Sequence, residues 1–443
     1  MFDGNGNEIK ILMNTDKTLS VPNSPADSKV AGEEIKKVIT KYEPESGDIP
    51  KVYFLGNPPT SKNDGKIKLE VTYVSKTRVI HNWCTLKVQG DTSATYPKKN
   101  YNIVMYKDSK CKDKDKHSFR GWGRSSKFCL KANWIDHTHA RNVVNAKLYG
   151  QMCRTRRDYE SYPEEWKKSP NYACIDGFPA MVYFNGVYHG LYTWNIAKDD
   201  FMTNMDEKSG KHSMLIADSS SAGVLFQSTS QIDGTDWTDE LNDNVPTWVL
   251  SSWRNVQNFV ISSSDADFSS NIEDYFYLSS LLDRYIFSIV FVYVGGFAKS
   301  QAYYTYDGTK WMSSMYDLDT SWALHWAGAS FYPVDIEITE ENQHSDSANG
   351  SNRLFERIVN NFKTDIKDRY SFLRGNVLTE ANIDMAFENF ITPMAPYLDD
   401  DYAITTAGGA YTNIPLTDTN NLQKLKEIIA GRLAYSDSYI SNL

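Results

Sequence analysis

The chain has 443 residues, 41% hydrophobic and 23% charged, with a net charge of −9. This ordinary globular composition allows two or three domains, or one large domain with additions. The negative balance argues against a general nucleic-acid binder and leaves room only for a locally basic pocket for a phosphate. Five cysteines (Cys84, Cys111, Cys129, Cys153 and Cys174) contain no C-x-x-C pair, which speaks against a zinc site or a disulfide framework and fits assembly in a reducing cytosol. The polar N-terminus has no signal-peptide pattern.

In chain order, residues 1–48 read as an appendage. Val30, Ile35, Val38 and Ile39 give a short helix only a thin apolar stripe, so it is expected to pack on a partner. A β-rich region follows. Val52 to Leu55 is a short apolar strand, and Ile67, Leu69, Val71 and Tyr73 alternate with polar residues as in a half-buried strand. Between strands near Leu86 and Val104 lies a loop rich in Gly, Ser and Thr that ends in two lysines. Its backbone N–H groups, with Ser93, could cradle phosphate oxygens, and Lys98 or Lys99 could add charge. A plain hairpin loop with solvated lysines is the alternative.

Phe128 to Asn133 is a further strand, and a helix is predicted over 136–149 with Asp136 as its cap. His137 and His139 are two residues apart, the wrong spacing for a shared zinc on one helix face. Residues 154–174 read as a polar surface insertion. Asn185-Gly186 marks a type I′ hairpin within 178–194. Residues 203–250 read as loops and short elements. The apolar run from Tyr275 to Val294 is long enough to span a membrane, but Asp283 and Arg284 in its middle make it a buried helix instead. Strands at 301–306 and 310–315 join at Asp307-Gly308, and the second leads into Tyr316-Asp-Leu-Asp319. Strand alternation would put Asp317 and Asp319 on one side. Such a pair is either a magnesium or calcium site or two solvated loop aspartates. The apolar stripes 354–366 and 422–440 are core faces of helices.

Several of these stretches, in order, resemble the CotH (spore-coat protein H) kinase family over residues 50–440. They are YPKKNY at 96–101, Asp136 with Arg141-Asn142, FNGVYHGLY at 184–192, TYDGTKW at 305–311 and YDLDTSW at 316–322. The resemblance implies an α+β, two-lobed protein-kinase-like fold. Residues 49–200 would form a β-rich N-lobe, and 201–443 a mainly helical C-lobe carrying the D-x-D hairpin. It further implies ATP with Mg (or Mn). Lys98 or Lys99 would pair with the phosphates, Arg141 and Asn142 would face them, Tyr192 would lie in the 191–196 stretch near the adenine, and Asp317 and Asp319 would hold the metal.

Some positions depart from the family's pattern. Gly295 stands where the catalytic Asp is expected, Ser300 where a metal-binding Asn is expected, and Ala323 where a Gly is expected. A Glu expected near Ile196 is absent. A glycine cannot accept the substrate hydroxyl's proton, so a pseudokinase is implied. The 1–48 leader, with Thr18-Leu-Ser20, Ala26-Asp-Ser-Lys29 and Gly32, is similar to those of tail and baseplate proteins of phages that infect Gram-positive bacteria. That similarity implies a virion protein of the tail or baseplate, assembled in the host cytoplasm as part of an oligomeric assembly. It would contact other tail proteins through 1–48 and could contact a host-surface ligand, with no nucleic acid and no membrane span. An active atypical kinase acting on Ser/Thr of tail or surface proteins is the alternative. A glycan-binding adhesin using the Trp-rich 311–326 segment and a calcium site is a weaker one.

Overall fold

The computed structural model describes residues 49–338, 351–406 and 419–443. The expected N-terminal arm, 1–48, lies outside the described residues. The described chain mixes α and β structure, and its most regular part is a closed barrel of seven strands. These are β1 (Lys51–Leu55), β2 (Ile67–Val74), β3 (Val79–Gln89), β4 (Asn100–Tyr106), β7 (Lys127–Lys131), β8 (Gly177–Phe184) and β9 (Val187–Ile196), in the order β1-β2-β3-β4-β7-β9-β8. The two-residue strands β5 (His117–Ser118) and β6 (Arg124–Ser125) form a separate ribbon.

Alternation explains the barrel. In β2 the apolar residues Leu69, Val71 and Tyr73 are buried while their neighbours are half-exposed or exposed. Parallel pairing of β1 with β8, Lys51 opposite Met181 through Phe54 opposite Phe184, closes the ring, which removes the open edge that a sheet otherwise exposes. Tyr73, Phe119, Phe128, Phe178 and Trp194 fill the interior, with ring centroids 5.0–6.4 Å apart. The β8–β9 turn is the predicted one: Asn185 and Gly186 sit at φ 50° and 81° between Phe184 and Val187, as a type I′ turn requires. Asn185 Oδ1 also accepts from Gly56 N–H at 2.7 Å and ties down the end of β1. Gly186→Val is therefore expected to destabilise the fold by about 1–2 kcal/mol, measurable by urea unfolding.

A four-stranded antiparallel sheet follows, in the order β11 (Trp237–Asp239), β10 (Ser213–Ala217), β12 (Gln301–Thr305), β13 (Trp311–Met315). The longer helices are α1 (Arg141–Arg154), α2 (Thr247–Ser262), α3 (Asp265–Tyr275), α4 (Leu278–Val290), α5 (Arg353–Asn361), α6 (Lys363–Arg374), α7 (Glu380–Ile391), α8 (Leu398–Thr406) and α9 (Leu422–Ser441). The apolar run does become a buried helix, α4, and no helix among the described residues is long and apolar enough to cross a membrane. Its two charged residues hold the fold together. The Asp283 carboxylate receives Arg156 and Arg369, each at 2.7 Å. Arg284 donates to the carbonyls of Gly296, Ser300 and Ser314 and so pins the 295–300 segment beside β13.

Three expectations need correction. Residues 154–174 are not a surface insertion: Arg156, Tyr162, Trp166 and Asn171 to Cys174 are buried, because Arg156 reaches Asp283 and the aromatics stack on one another. Residues 203–250 are, as read, loops and short elements up to the start of α2 at Thr247, among them the fully buried five-residue strand β10. The helix expected over 136–149 begins at Arg141, yet Asp136 still serves its first turn, accepting from Arg141 N–H at 2.9 Å across the intervening turn. Finally, strand geometry ends at Met315, so Asp317 and Asp319 are not paired by alternation.

Candidate functional site

After β13 the chain makes a sharp turn. Asp317 adopts φ 60° and ψ 59°, and residues 318–320 form one 3-10 turn. Leu318 is buried, Asp317 is exposed and Asp319 is half-buried. Left-handed backbone is costly for a residue with a Cβ and persists only where its surroundings fix it. Here α1 does so. Asn142 Oδ1 accepts from Leu318 N–H at 3.2 Å, and Asn145 Oδ1 accepts from Trp322 Nε1 at 2.8 Å. Arg141, fully buried, donates to Ser321 O at 3.0 Å, to Asp136 at 2.5 Å and to Asn420 at 2.7 Å. The structure thus brings Arg141, Asn142, Asp317 and Asp319 together, with the first two acting as supports of the aspartate turn.

The electrostatics of that turn are distinctive. Burial, then the adjacent Asp317 charge, push the Asp319 carboxyl up to about 8; Lys131 opposes the rise and Asp136 adds to it. Lys131, at the end of β7, makes no ion pair or hydrogen bond through its ammonium among the described residues. It was missed in the sequence. The signal was its place, the last lysine of the strand that precedes α1, in Phe128-Cys-Leu-Lys131.

The lysines expected to bind phosphate are engaged elsewhere. Lys98 is buried, 2.5 Å from Asp401 in α8 and 2.5 Å from Leu191 O. Asp401 also receives His139 Nε2 at 3.0 Å and Leu191 N–H at 2.6 Å. Burial alone would raise the Asp401 carboxyl, but Lys98 and His139 outweigh it and hold it well below the usual carboxylate range. Lys99 donates to Ala94 O within its own loop. Ser93 is half-buried in the same loop, close over Gly90. Tyr192 points into the barrel, stacked on Tyr101 and lying under the Lys98 ammonium. None of these four is placed against the aspartate turn. The loop itself does reach that side of the molecule, because the charges of Lys299 and Lys198 act on Asp91 at its tip.

Gly295 is buried at φ 88°, a backbone that disfavours any side chain. A Cβ at Gly296 would come within 2.6 Å of Ser288 and Tyr293. Neither position can take an aspartate without local rearrangement. The neighbouring Tyr293 hydroxyl donates to Tyr316 O, which fixes this segment against the aspartate turn.

Among the described residues no group of three or more His, Cys, Asp or Glu side chains could hold a metal ion. Two carboxylates are too few for a closed zinc or calcium site. They suit a magnesium-type ion that completes its shell with phosphate oxygens and water. The described chain thus joins a closed barrel to a largely helical region, and the charge of Lys131 at the end of β7 acts on the acidic turn. A family model described as CotH kinase protein matches residues 86–435, and the chain belongs to that family. No curated protein matches it significantly.

Proposed function

We propose that this kinase-like protein binds ATP with a magnesium or manganese ion between the barrel and the Asp317/Asp319 turn. The barrel would act as the N-lobe and the helical region as the C-lobe. The observation that carries this is Lys131, an ammonium without a partner among the described residues, whose charge acts on Asp319. Lys131 would take the phosphate role expected of Lys98 or Lys99, since the Lys98 ammonium is committed to Asp401. Ser93 and Lys99 remain loop candidates for phosphate contact. Asp317 and Asp319 would hold the metal, which supplies neutralisation of phosphate charge when bound. Arg141, Asn142 and Asn145 keep the two carboxylates in position. Lys131→Met should abolish the rise in Tm that MgATP gives the native chain, while leaving the ligand-free Tm within about 2 °C. Lys98→Met, by contrast, should cost about 3–5 kcal/mol of stability by stranding Asp401. An MgATP shift that survives Lys131→Met would count against the assignment.

We also propose that the chain is a phage tail or baseplate-type structural or host-contacting protein, located in the virion and joined to other tail proteins through 1–48. The leader's resemblance is its support. Detection of the chain in purified particles would bear this out, and its absence would sink it. Gly295 in place of an acid supports a nucleotide-binding pseudokinase. An active kinase is favoured by one observation, the position of Asp218.

A further inference from the structure

The site lacks a carboxylate at 295, where a buried glycine sits at φ 88°. The residue just past the neighbouring strand β10 is a carboxylate, Asp218. In the sheet, Ser213 pairs with Thr305 and Ile216 with Ala302, while Gln301 pairs with Met315. Carried past the last paired residues, these registers set Asp218, Ser300 and Tyr316 in one row across β10, β12 and β13. Residues opposite one another share a face, and neighbouring strands lie about 4.8 Å apart. The Asp218 and Tyr316 backbones are therefore separated by roughly 10 Å, a span that a metal-bound γ-phosphate and an attacking hydroxyl can fill.

The side chains agree with this placement. The half-buried Asp218 accepts from the Thr238 hydroxyl at 2.8 Å through Oδ2. Its other oxygen has no hydrogen bond among the described residues. The charges of Glu240, Lys198 and Lys299 act on it. Lys198 bridges toward the aspartate turn, 2.5 Å from Glu240 and 4.5 Å over the Tyr316 ring. Lys299 belongs to the 295–300 segment itself. The other carboxylates nearby are committed: Glu240 to Lys198, and Asp239 to Ser213, Asn242 and backbone N–H groups.

We propose that Asp218 is the catalytic base of phosphoryl transfer at this site, supplied from β10 in place of residue 295. The proposal rests on the MgATP reading above. The acceptor is a hydroxyl-bearing side chain. Its oxygen attacks the γ-phosphorus of ATP and forms the new O–P bond. The bond from that phosphorus to the β,γ-bridging oxygen breaks, and ADP leaves with the electron pair. The hydroxyl proton passes to the free Asp218 oxygen. Burial raises the Asp218 carboxyl above its ordinary value, opposed first by the Thr238 hydroxyl, with Glu240 adding to the rise and Lys198 and Lys299 opposing it. The shift brings its basicity closer to what a general base needs.

The test uses the full chain, γ-labelled ATP with Mg²⁺ or Mn²⁺, and transfer to the chain itself and to a pool of serine-containing peptides. MgATP affinity is measured in parallel. Asp218→Asn should lower the transfer rate about 10²–10³-fold, change MgATP affinity less than about threefold, and erase the acid limb of the native pH–rate profile. Asp218→Glu should keep part of the rate and that limb, which guards against loss by misfolding. Native-rate transfer by Asp218→Asn would overturn the proposal. So would a native chain that binds MgATP and transfers nothing, an outcome that leaves the nucleotide reading standing. A native chain that binds no MgATP would overturn both.

Discussion

Asp283→Asn should destabilise the fold by about 3–5 kcal/mol, a large part of the roughly 5–15 kcal/mol that holds an ordinary domain folded. The substitution keeps the volume and removes the one charge that balances Arg156 and Arg369 inside the protein. Both arginines have further partners, Tyr149 for Arg156 and the carbonyls of Met152 and Thr155 for Arg369, but none of these carries the opposite charge. The pH dependence follows from the same geometry. Burial alone would raise the Asp283 carboxyl; Arg369 and Arg156 more than reverse that and lower it. A lowered folded-state value contributes stability that is present above the ordinary carboxylate range and is lost as pH falls below it. Native protein should therefore lose stability in acid from about pH 4 downward, and Asp283→Asn should show a shallower acid dependence. Urea midpoints at pH 3 to 7 check both, and a variant as stable as the native chain would refute the role given to Asp283.

The second large effect concerns Asp319. Its carboxyl is raised to about 8 by burial and by Asp317. In the metal-free protein this raised value contributes stability that is full below about pH 4 and is lost as pH rises through about 8. A divalent cation favours the ionised pair, so loading below that pH displaces a proton. Titration with Mn²⁺ alone should show affinity rising with pH by up to about tenfold per unit and levelling off near 8, with close to one proton released at pH 6.5. Calorimetry in buffers of different ionisation enthalpy counts that proton. Affinity independent of pH between 6 and 9 would place the metal elsewhere.

Local signals carried much of the fold. Alternation in β2, the Asn185-Gly186 turn and the apolar stripes of α5, α6 and α9 each reflect a residue's immediate neighbours, and all appear where those patterns place them. The hairpin of β12 and β13 around Asp307-Gly308 was equally legible. What escaped was decided by contacts distant in sequence. Arg156 looks like a surface residue until Asp283, 127 positions away, is beside it. Lys98 looks like a free phosphate ligand until Asp401, 303 positions away, takes its ammonium. Lys131 is an ordinary strand-end residue in the sequence; only the pairing of β7 with its neighbours brings its charge to the aspartate turn.

The most direct test of the nucleotide–metal site is calorimetric titration of the native chain and of Asp317→Asn with MgATP. Saturable binding by the native chain that requires the metal and falls at least about tenfold, or about 1.4 kcal/mol, in the variant is the predicted result. No binding by the native chain, or equal binding by both, would contradict the account.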